Sequence, residues 1–304
     1  MRVLVYNHGM TKQDSYIITG PTASGKSDFA HRLACEIGGV IINCDSVQMY
    51  SGIENISASP FAGKTSFDNI DGVPYRLFSV LPLSEQISVA DYLNMARHEY
   101  ESAIKSGYIP IFVGGTGYYI NALIKGISPM PDISLENRAR ARELVAHDIV
   151  AARKLLPDDF TATDSQRVAR ALEVFFETGR HLSEFQSMPR VGSVVPNAKR
   201  ILICPETSVL HERIALRIPQ MVSSGALVEA ERIIQHGWNP NRAIGATQLC
   251  AYLRGDKTYN ECVEDWINKT NQYAKRQRTW FRTQFAPDII IHTTGDNADI
   301  KNIV

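Results

Sequence analysis

The sequence predicts an α/β fold, a mostly parallel sheet flanked by helices, with an all-helical insertion domain. Three observations predict it. Short apolar β-type runs alternate with helix-length amphipathic segments. A glycine-rich loop joins the first such run to the first such segment. Strand character then disappears for some sixty residues and returns near the C-terminus.

The elements follow in order. Ser15 to Thr19 is an apolar run leading directly into glycines. Ser27 to Ile37 repeats Phe29, Ala30, Leu33, Ala34 and Ile37 at helical spacing. Val40 to Asn43 is a second strand, ending at Cys44-Asp45-Ser46, and Tyr75 to Val80 is expected to be a third. Val89 to Ser106 repeats Leu93, Ala96, Tyr100, Ala103 and Ile104 as a helix, which Gly107 stops. Ile109 to Val113 is a buried-strand run ending in Gly114-Gly115-Thr116. From Leu135 to Arg190 the chain is charged and helical, with Arg138, Arg140, Arg142, Arg153 and Lys154 in its first half. Lys199 to Cys204 returns to strand character. Helices are expected at Ser208 to Ser223, Leu227 to His236 and Tyr259 to Gln284, and a last strand at Asp288 to His292. The expected division is a core of residues 1–134 and 199–304 and a helical insertion of 135–198.

Composition excludes some classes of function. No apolar run approaches the ~20 residues of a membrane-spanning helix. Met1 to Asp14 lacks the apolar stretch of a secretory signal and reads as a ragged N-terminus. Cys35, Cys44, Cys204, Cys250 and Cys262 are scattered without a CxxC pair, which favours reduced thiols in a cytoplasm over disulfides or zinc. Lys plus Arg, 32, equals Asp plus Glu, 32, so there is no global basic field. Nucleic-acid binding would have to come from local clusters.

Gly20-Pro21-Thr22-Ala23-Ser24-Gly25-Lys26-Ser27 matches the phosphate-loop pattern GxxxxGKS/T, with a strand before it and a helix after. Glycines let the backbone wrap so that several N–H groups point inward. The following helix directs its positive end at the anion. Lys26 adds a point charge, and Ser27 can ligate Mg²⁺. This makes the core P-loop NTPase-like. No apolar run ending in Asp-Glu supplies the metal-binding aspartate usual in P-loop hydrolases. Asp45, closing the second strand, is left ambiguous between metal support and general base.

Three further clusters each have two readings. Asp45-Ser46-Val47-Gln48-Met49-Tyr50 sits at the carboxyl end of a strand, the edge that lines the ligand crevice of an open parallel sheet. Asp45 can be a base there, with Ser46 and Gln48 bonding a base edge, or it can simply cap a helix. Thr116 can offer its hydroxyl to a phosphate, or the glycines around it can be a tight turn. Lys275 to Arg282 mixes cations with Trp280 and Phe281. That suits an RNA backbone and an unstacked base, or an amphipathic helix with solvated charges.

Taken in order, GPTASGKS, DSVQMY, VGGTGYY, DSQRVARALEVFFETGR and KRQRTWFR resemble the tRNA dimethylallyltransferases, over Ile17 to Arg282. The resemblance implies a Mg²⁺-dependent transfer from dimethylallyl diphosphate to N6 of adenine 37 in tRNA. It implies that Thr22 to Ser27 hold the diphosphate and that Asp45 takes the adenine amine proton. Asp45, Ser46, Val47 and Gln48 would contact the flipped adenine and its neighbours, with Thr116 between diphosphate and RNA. Arg138, the segment Gln166, Arg167, Val168, Ala169 and Arg170, and the segment Lys275, Arg276, Gln277, Arg278, Trp280 and Arg282 would touch tRNA. Arg217 would neutralise the leaving diphosphate. The bacterial form is implied, since no zinc-finger extension follows the last strand, and a cytoplasmic monomer is expected. Departures from the family pattern stand at Asn55 to Ala58, at Tyr75-Arg76 and at Ala246-Thr247.

Rival readings are a P-loop kinase of nucleoside or metabolite type, a non-catalytic RNA-binding P-loop protein, and a prenyltransferase using free adenine nucleotides. The first does not account for DSVQMY or the basic-aromatic helix. The second leaves Asp45 and Thr116 idle, and the third has no use for the two RNA-clamping segments.

Overall fold

The computed structural model describes residues 15–301 and residue 303, so the N-terminal expectation for Met1 to Asp14 lies outside it. The chain divides into two compact units, Met1–Ile124 with Val194–Val304, and Lys125–Ser193.

The first unit is built on a seven-stranded sheet. Its strands are β1 (Tyr16–Thr19), β2 (Gly39–Asn43), β3 (Asn69–Ile70), β4 (Val73–Arg76), β5 (Ile109–Gly114), β6 (Lys199–Ile203) and β7 (Ile289–Ile291), in the spatial order β3-β4-β2-β5-β1-β6-β7. Every pairing is parallel except β3 with β4. Strands β1, β2 and β5 are central, and their residues are almost wholly buried, which is why they read as continuous apolar runs. Their register brings Thr19 opposite Gly114, and Asn43 opposite Val113, so the loops after β1, β2 and β5 open side by side. A Cβ on Gly114 would lie 2.3 Å from the Cys44 carbonyl carbon, so only glycine allows this approach.

The expected third strand is shorter than the sequence suggested. It ends at Arg76 because Leu77 and Ser79 adopt φ of 63° and 50°, which no strand accommodates. The helices of this unit are α1 (Lys26–Ile37), α2 (Val89–Lys105), α3 (Gly117–Lys125), α8 (Thr207–Met221), α9 (Leu227–Gln235), α10 (Ala246–Leu253) and α11 (Tyr259–Gln284). Two of these, α3 and α10, were not read from the sequence, being only about two turns long. Three caps follow sequence rules: Ser88 with Asp91 at α2, and Thr258 with Glu261 at α11, are reciprocal boxes, and Gly38 ends α1 in the left-handed region.

The second unit holds α4 (Leu135–His147), α5 (Ile149–Arg153), α6 (Ser165–Thr178) and α7 (Leu182–Gln186). Its own core joins Ala141, Val145, Ala152, Leu156, Val168 and Leu172. It begins earlier than residue 135 and ends before 198, because Ile127 and Val191 exchange two backbone hydrogen bonds of 3.0 and 2.9 Å. That ladder draws the connecting segments into the unit.

Candidate active site

Five segments of the first unit converge on one cleft of about 710 Å³. They are the loop after β1, the loop after β2, one face of α8, the residues Arg242, Ala243 and Ile244 ahead of α10, and one face of α11.

In the loop after β1, Thr22, Ala23, Gly25, Lys26 and Ser27 line the cleft, while Gly20 and Pro21 are buried behind them. Gly25 has φ of 83° and Ala23 has φ of 65°. For a non-glycine residue the left-handed conformation costs roughly 1–2 kcal/mol, and such strain collects at functional sites. Helix α1 has no side chain capping its N-terminus. Its first N–H groups are therefore open to an anion. Ser24 Oγ and Arg217 Nε are buried without a hydrogen-bond partner, two polar atoms at the loop awaiting one.

Charge gathers there too. Burial lowers the Lys26 pKa, and the Asp45 carboxylate opposes that shift. Burial pushes the Arg217 guanidinium down to about 10, with neighbouring Arg213 acting in the same direction. Arg217 Nη2 donates to Thr22 Oγ1 at 2.8 Å. The opposite charge of a bound anion would offset the cost of burying both cations.

The loop after β2 carries Asp45, Ser46, Val47 and Gln48, all half-buried on the cleft wall. Asn43 holds it from below: its Oδ1 accepts from Asp45 N at 2.8 Å, and its Nδ2 donates to Asp45 O and Leu77 O, each at 2.9 Å. Asp45 Oδ1 accepts from Val47 N at 3.0 Å, a short Asx-type turn that fixes the carboxylate. Gln48 Nε2 donates to Ser57 O and Ala58 O, at 3.2 and 3.0 Å. The loop Asn55 to Ala58, where the sequence departs from the family pattern, is itself pinned to α9. Glu229 accepts from Asn55 N, Asn55 Nδ2 and Ile56 N, each at 2.8 Å.

Thr116 lies beside Ser46 but not on the cleft lining. Its Oγ1 accepts from Ser46 N at 3.0 Å, so it braces one loop against the next. Gln277 does the same from α11. Thr22 N donates to its Oε1 at 2.8 Å, and its Nε2 donates to Gly115 O at 2.9 Å.

The remaining basic candidates separate into places. On α11, Gln277 turns toward the cleft with Thr270 and Tyr273. Lys275, Arg278 and Arg282 occupy the opposite face and line a second groove of about 760 Å³ with His211 and His292. Arg278 also donates to Pro205 O. Arg276 lies 5.7 Å from the Tyr273 ring centroid. Trp280 packs against Gly117, where a Cβ would meet its ring at 2.6 Å. In the second unit Gln166 and Arg167 are exposed and Arg138 is half-buried. Arg167 pairs with Asp164 and Arg170 with Glu173, at 3.5 and 3.1 Å. Val168 and Ala169 are corrections: both are buried in the core of that unit, as the helical period at α6 requires, and offer RNA no side chain. The sequence reading missed Arg213, Arg242, Tyr273, Glu229 and Asp296. Only the i, i+4 spacing of Arg213 from Arg217 was a visible signal.

This arrangement can grip a polyphosphate and place the Asp45 carboxylate beside it. A family model described as IPP transferase matches residues 48–284, and one described as isopentenyl transferase matches residues 13–68. The chain belongs to the IPP transferase family. Its relatives named tRNA dimethylallyltransferase include one from Paramagnetospirillum magneticum, 37% identical over 90% of this chain and 89% of the relative. Another, from Rickettsia felis, is 33% identical over 97% and 99%. Among solved structures, the tRNA isopentenylpyrophosphate transferase of Bacillus halodurans superposes with a TM-score of 0.65 at 28% identity, covering 96% of this chain and 93% of that one. A eukaryotic dimethylallyltransferase acting on tRNA shares the fold, with a TM-score of 0.74 at 24% identity over 93% of this chain and 74% of that one. The IPP transferase fold is thus the P-loop α/β sheet described above, and no helix among the described residues is long and apolar enough to cross a membrane.

Proposed function

We propose that this IPP transferase moves a dimethylallyl group from dimethylallyl diphosphate to N6 of adenine 37 in the anticodon loop of tRNA, in the cytoplasm and as a monomer. One observation carries the reading. The phosphate loop, with Lys26 and a Thr22-bonded Arg217, faces the same cleft as Asp45.

The chemistry follows from that placement. The allylic carbon–oxygen bond breaks and its electron pair leaves on the diphosphate. The adenine N6 lone pair forms the new carbon–nitrogen bond, and the N6 proton goes to Asp45. The loop N–H groups, Lys26 and Arg217 neutralise the charge that develops on the leaving oxygens. General-base help of the kind assigned to Asp45 is typically worth ~10²–10⁴-fold. The adenine must leave its stack to reach Asp45, which costs about a few kcal/mol. Thr116 and Gln277 brace the loops, and cations of α4 and α6 in the second unit, and of α11 in the first, are each proposed to contact the RNA. ATP is then neither substrate nor energy source.

Ser27 hydroxyl and Asp45 carboxylate both line the cleft, and such hard oxygen donors beside a diphosphate suit Mg²⁺. Among the described residues no cluster of three His, Cys, Asp or Glu could hold a metal alone, so most of its ligands would be phosphate oxygens and water. Ser27 would hold the ion, which when bound supplies positive charge to the diphosphate.

Labelled dimethylallyl diphosphate with Mg²⁺ and either an anticodon stem-loop or AMP tests the reading. Label is expected on the stem-loop, at its adenine amine. Label on AMP alone, or consumption of ATP with transfer of its phosphate, would refute it. Asp45→Asn is expected to keep stem-loop affinity and to lose turnover by ~10²–10⁴-fold. Near-normal turnover in that variant would remove Asp45 from the base role.

A further inference from the structure

The phosphate loop is clamped from behind by a segment near the C-terminus that the mechanism above does not use. A short turn at Gly295–Asn297 docks on it. Gly295 N donates to Ser24 O at 2.8 Å. A Cβ on Gly295 would lie 2.2 Å from Gly25 O, and a Cβ on Gly25 would lie 2.6 Å from Asp296 Oδ1. Two glycines therefore face each other, and the Asp296 carboxylate stands directly against the loop. Arg32 of α1 fastens the turn by donating to Gly295 O and to Ala298 O, the latter at 2.9 Å.

A carboxylate in that position opposes the binding of an anion by the same loop. It is tolerable only if its charge is cancelled, and one cation cancels it. Arg213 Nη1 donates to Asp296 Oδ2 at 3.1 Å. Arg213 also lines the cleft, one turn before Arg217 on the same face of α8. Its side chain is only two-thirds buried, so packing alone does not fix the guanidinium. Arg217 is fixed to the loop through Thr22, and Arg213 through Asp296.

We propose that Arg213 is a further diphosphate-binding residue, and that Asp296 is the positioning residue that holds it there. Helix α8 then presents a fork of two guanidiniums to the ligand, each indexed to the phosphate loop by its own tie. Burial alone would raise the Asp296 pKa, yet the hydrogen bond and charge of Arg213 bring it below the usual carboxylate range. The carboxylate is thus ionised and available to orient the arginine across the neutral range. This inference rests on reading the cleft as a diphosphate site.

Calorimetric titration of the full chain with magnesium pyrophosphate tests both. Wild type is expected to bind it. Arg213→Gln is expected to weaken binding about tenfold, the worth of one charge-assisted hydrogen bond. Arg213→Lys is expected to recover part of that loss, which a purely structural arginine would not. Asp296→Asn is expected to weaken binding by a smaller factor, and to cause no further loss but a partial recovery when Arg213 is already Gln, because the uncancelled carboxylate beside the loop is then gone. Additive losses in that double variant would mean that Asp296 acts on the loop and not through Arg213, and would overturn the positioning role. Arg213→Gln binding like wild type, with an unchanged melting temperature, would overturn the ligand role. Wild type failing to bind pyrophosphate at all would sink the diphosphate reading itself, and this inference with it.

Discussion

At the scale of single residues, the site depends on side chains whose chemistry is aimed at backbone. Gln277 is the clearest case. Within KRQRTWFR it looked like one more polar contact for RNA. Its burial, with 6% of its surface exposed, and its two bonds to Thr22 N and Gly115 O make it a brace between the loops after β1 and β5. Gln277→Leu keeps the volume and strands both backbone groups. Each buried unpaired group costs ~1–3 kcal/mol, so urea unfolding should show a loss of that order. The KM for dimethylallyl diphosphate should rise, because Thr22 also anchors Arg217, while stem-loop affinity should change little. An unchanged KM would mean that the brace does not set the loop. The phosphate loop and Asp45 were legible in the sequence because their chemistry is local: glycine spacing, a following helix, a carboxylate at a strand end. Arg213, Asp296 and the true task of Gln277 were not. Their partners lie 83 and 255 residues away along the chain for Asp296–Arg213 and Gln277–Thr22, and no periodicity encodes such a contact.

At the scale of elements, most helices were legible because their apolar residues repeat at helical spacing, and the central strands because they are continuous apolar runs. The stretch between β2 and α2 was not, because its order comes from tertiary hydrogen bonds. Glu229 on α9 is its anchor. With 4% exposure, it accepts three hydrogen bonds from Asn55 and Ile56. The loop so held supplies the carbonyls that take the Gln48 amide. Burial raises the Glu229 pKa, and the bonds from Asn55 and Ile56 oppose that without cancelling it. The sign of the linkage follows. A carboxyl whose folded pKa lies above its unfolded one contributes stability below the unfolded value, about pH 4.3, and loses it as pH rises through the folded value. Glu229→Gln removes that slope. The stability of wild type minus that of the variant, from urea unfolding, should therefore fall as pH rises above about 4.3 and then level off. A difference that is flat or rises with pH would contradict the raised pKa. The variant also turns an amide NH₂ toward a backbone donor, so a pH-independent loss of ~1–3 kcal/mol should accompany it.

At the scale of the whole molecule, the two units are connected in a way that makes them separable by experiment. Val194 N and Val195 N both donate to Leu123 O, at 2.9 and 3.0 Å, so the first unit holds the two ends of the insertion beside each other. Within the second unit Ile127 and Val191 are paired in turn. The sequence showed that a helical insertion exists, since strand patterning stops and restarts. It could not show where the ends meet, because a single β-bridge has no sequence period. Replacing Gly126 to Gly192 with a few Gly and Ser residues should then close without strain, and shortening that loop costs no closure entropy. The sheet, the phosphate loop, Asp45, Arg213 and Arg217 all belong to the first unit. The shortened protein is therefore expected to fold and to bind magnesium pyrophosphate within about twofold of wild type, the ±0.3–0.5 kcal/mol expected of independent parts. Stem-loop affinity should fall at least tenfold, about 1.4 kcal/mol, if Arg138, Arg167 and Arg170 contribute to RNA binding. The salt dependence should change with it: the slope of log K against log salt should shrink by about 0.7–0.9 for each phosphate that the protein no longer neutralises. A shortened protein that binds the stem-loop as tightly as wild type, with the same salt slope, would place RNA binding wholly on the first unit. Lys275, Arg278 and Arg282 of α11 would then have to carry it.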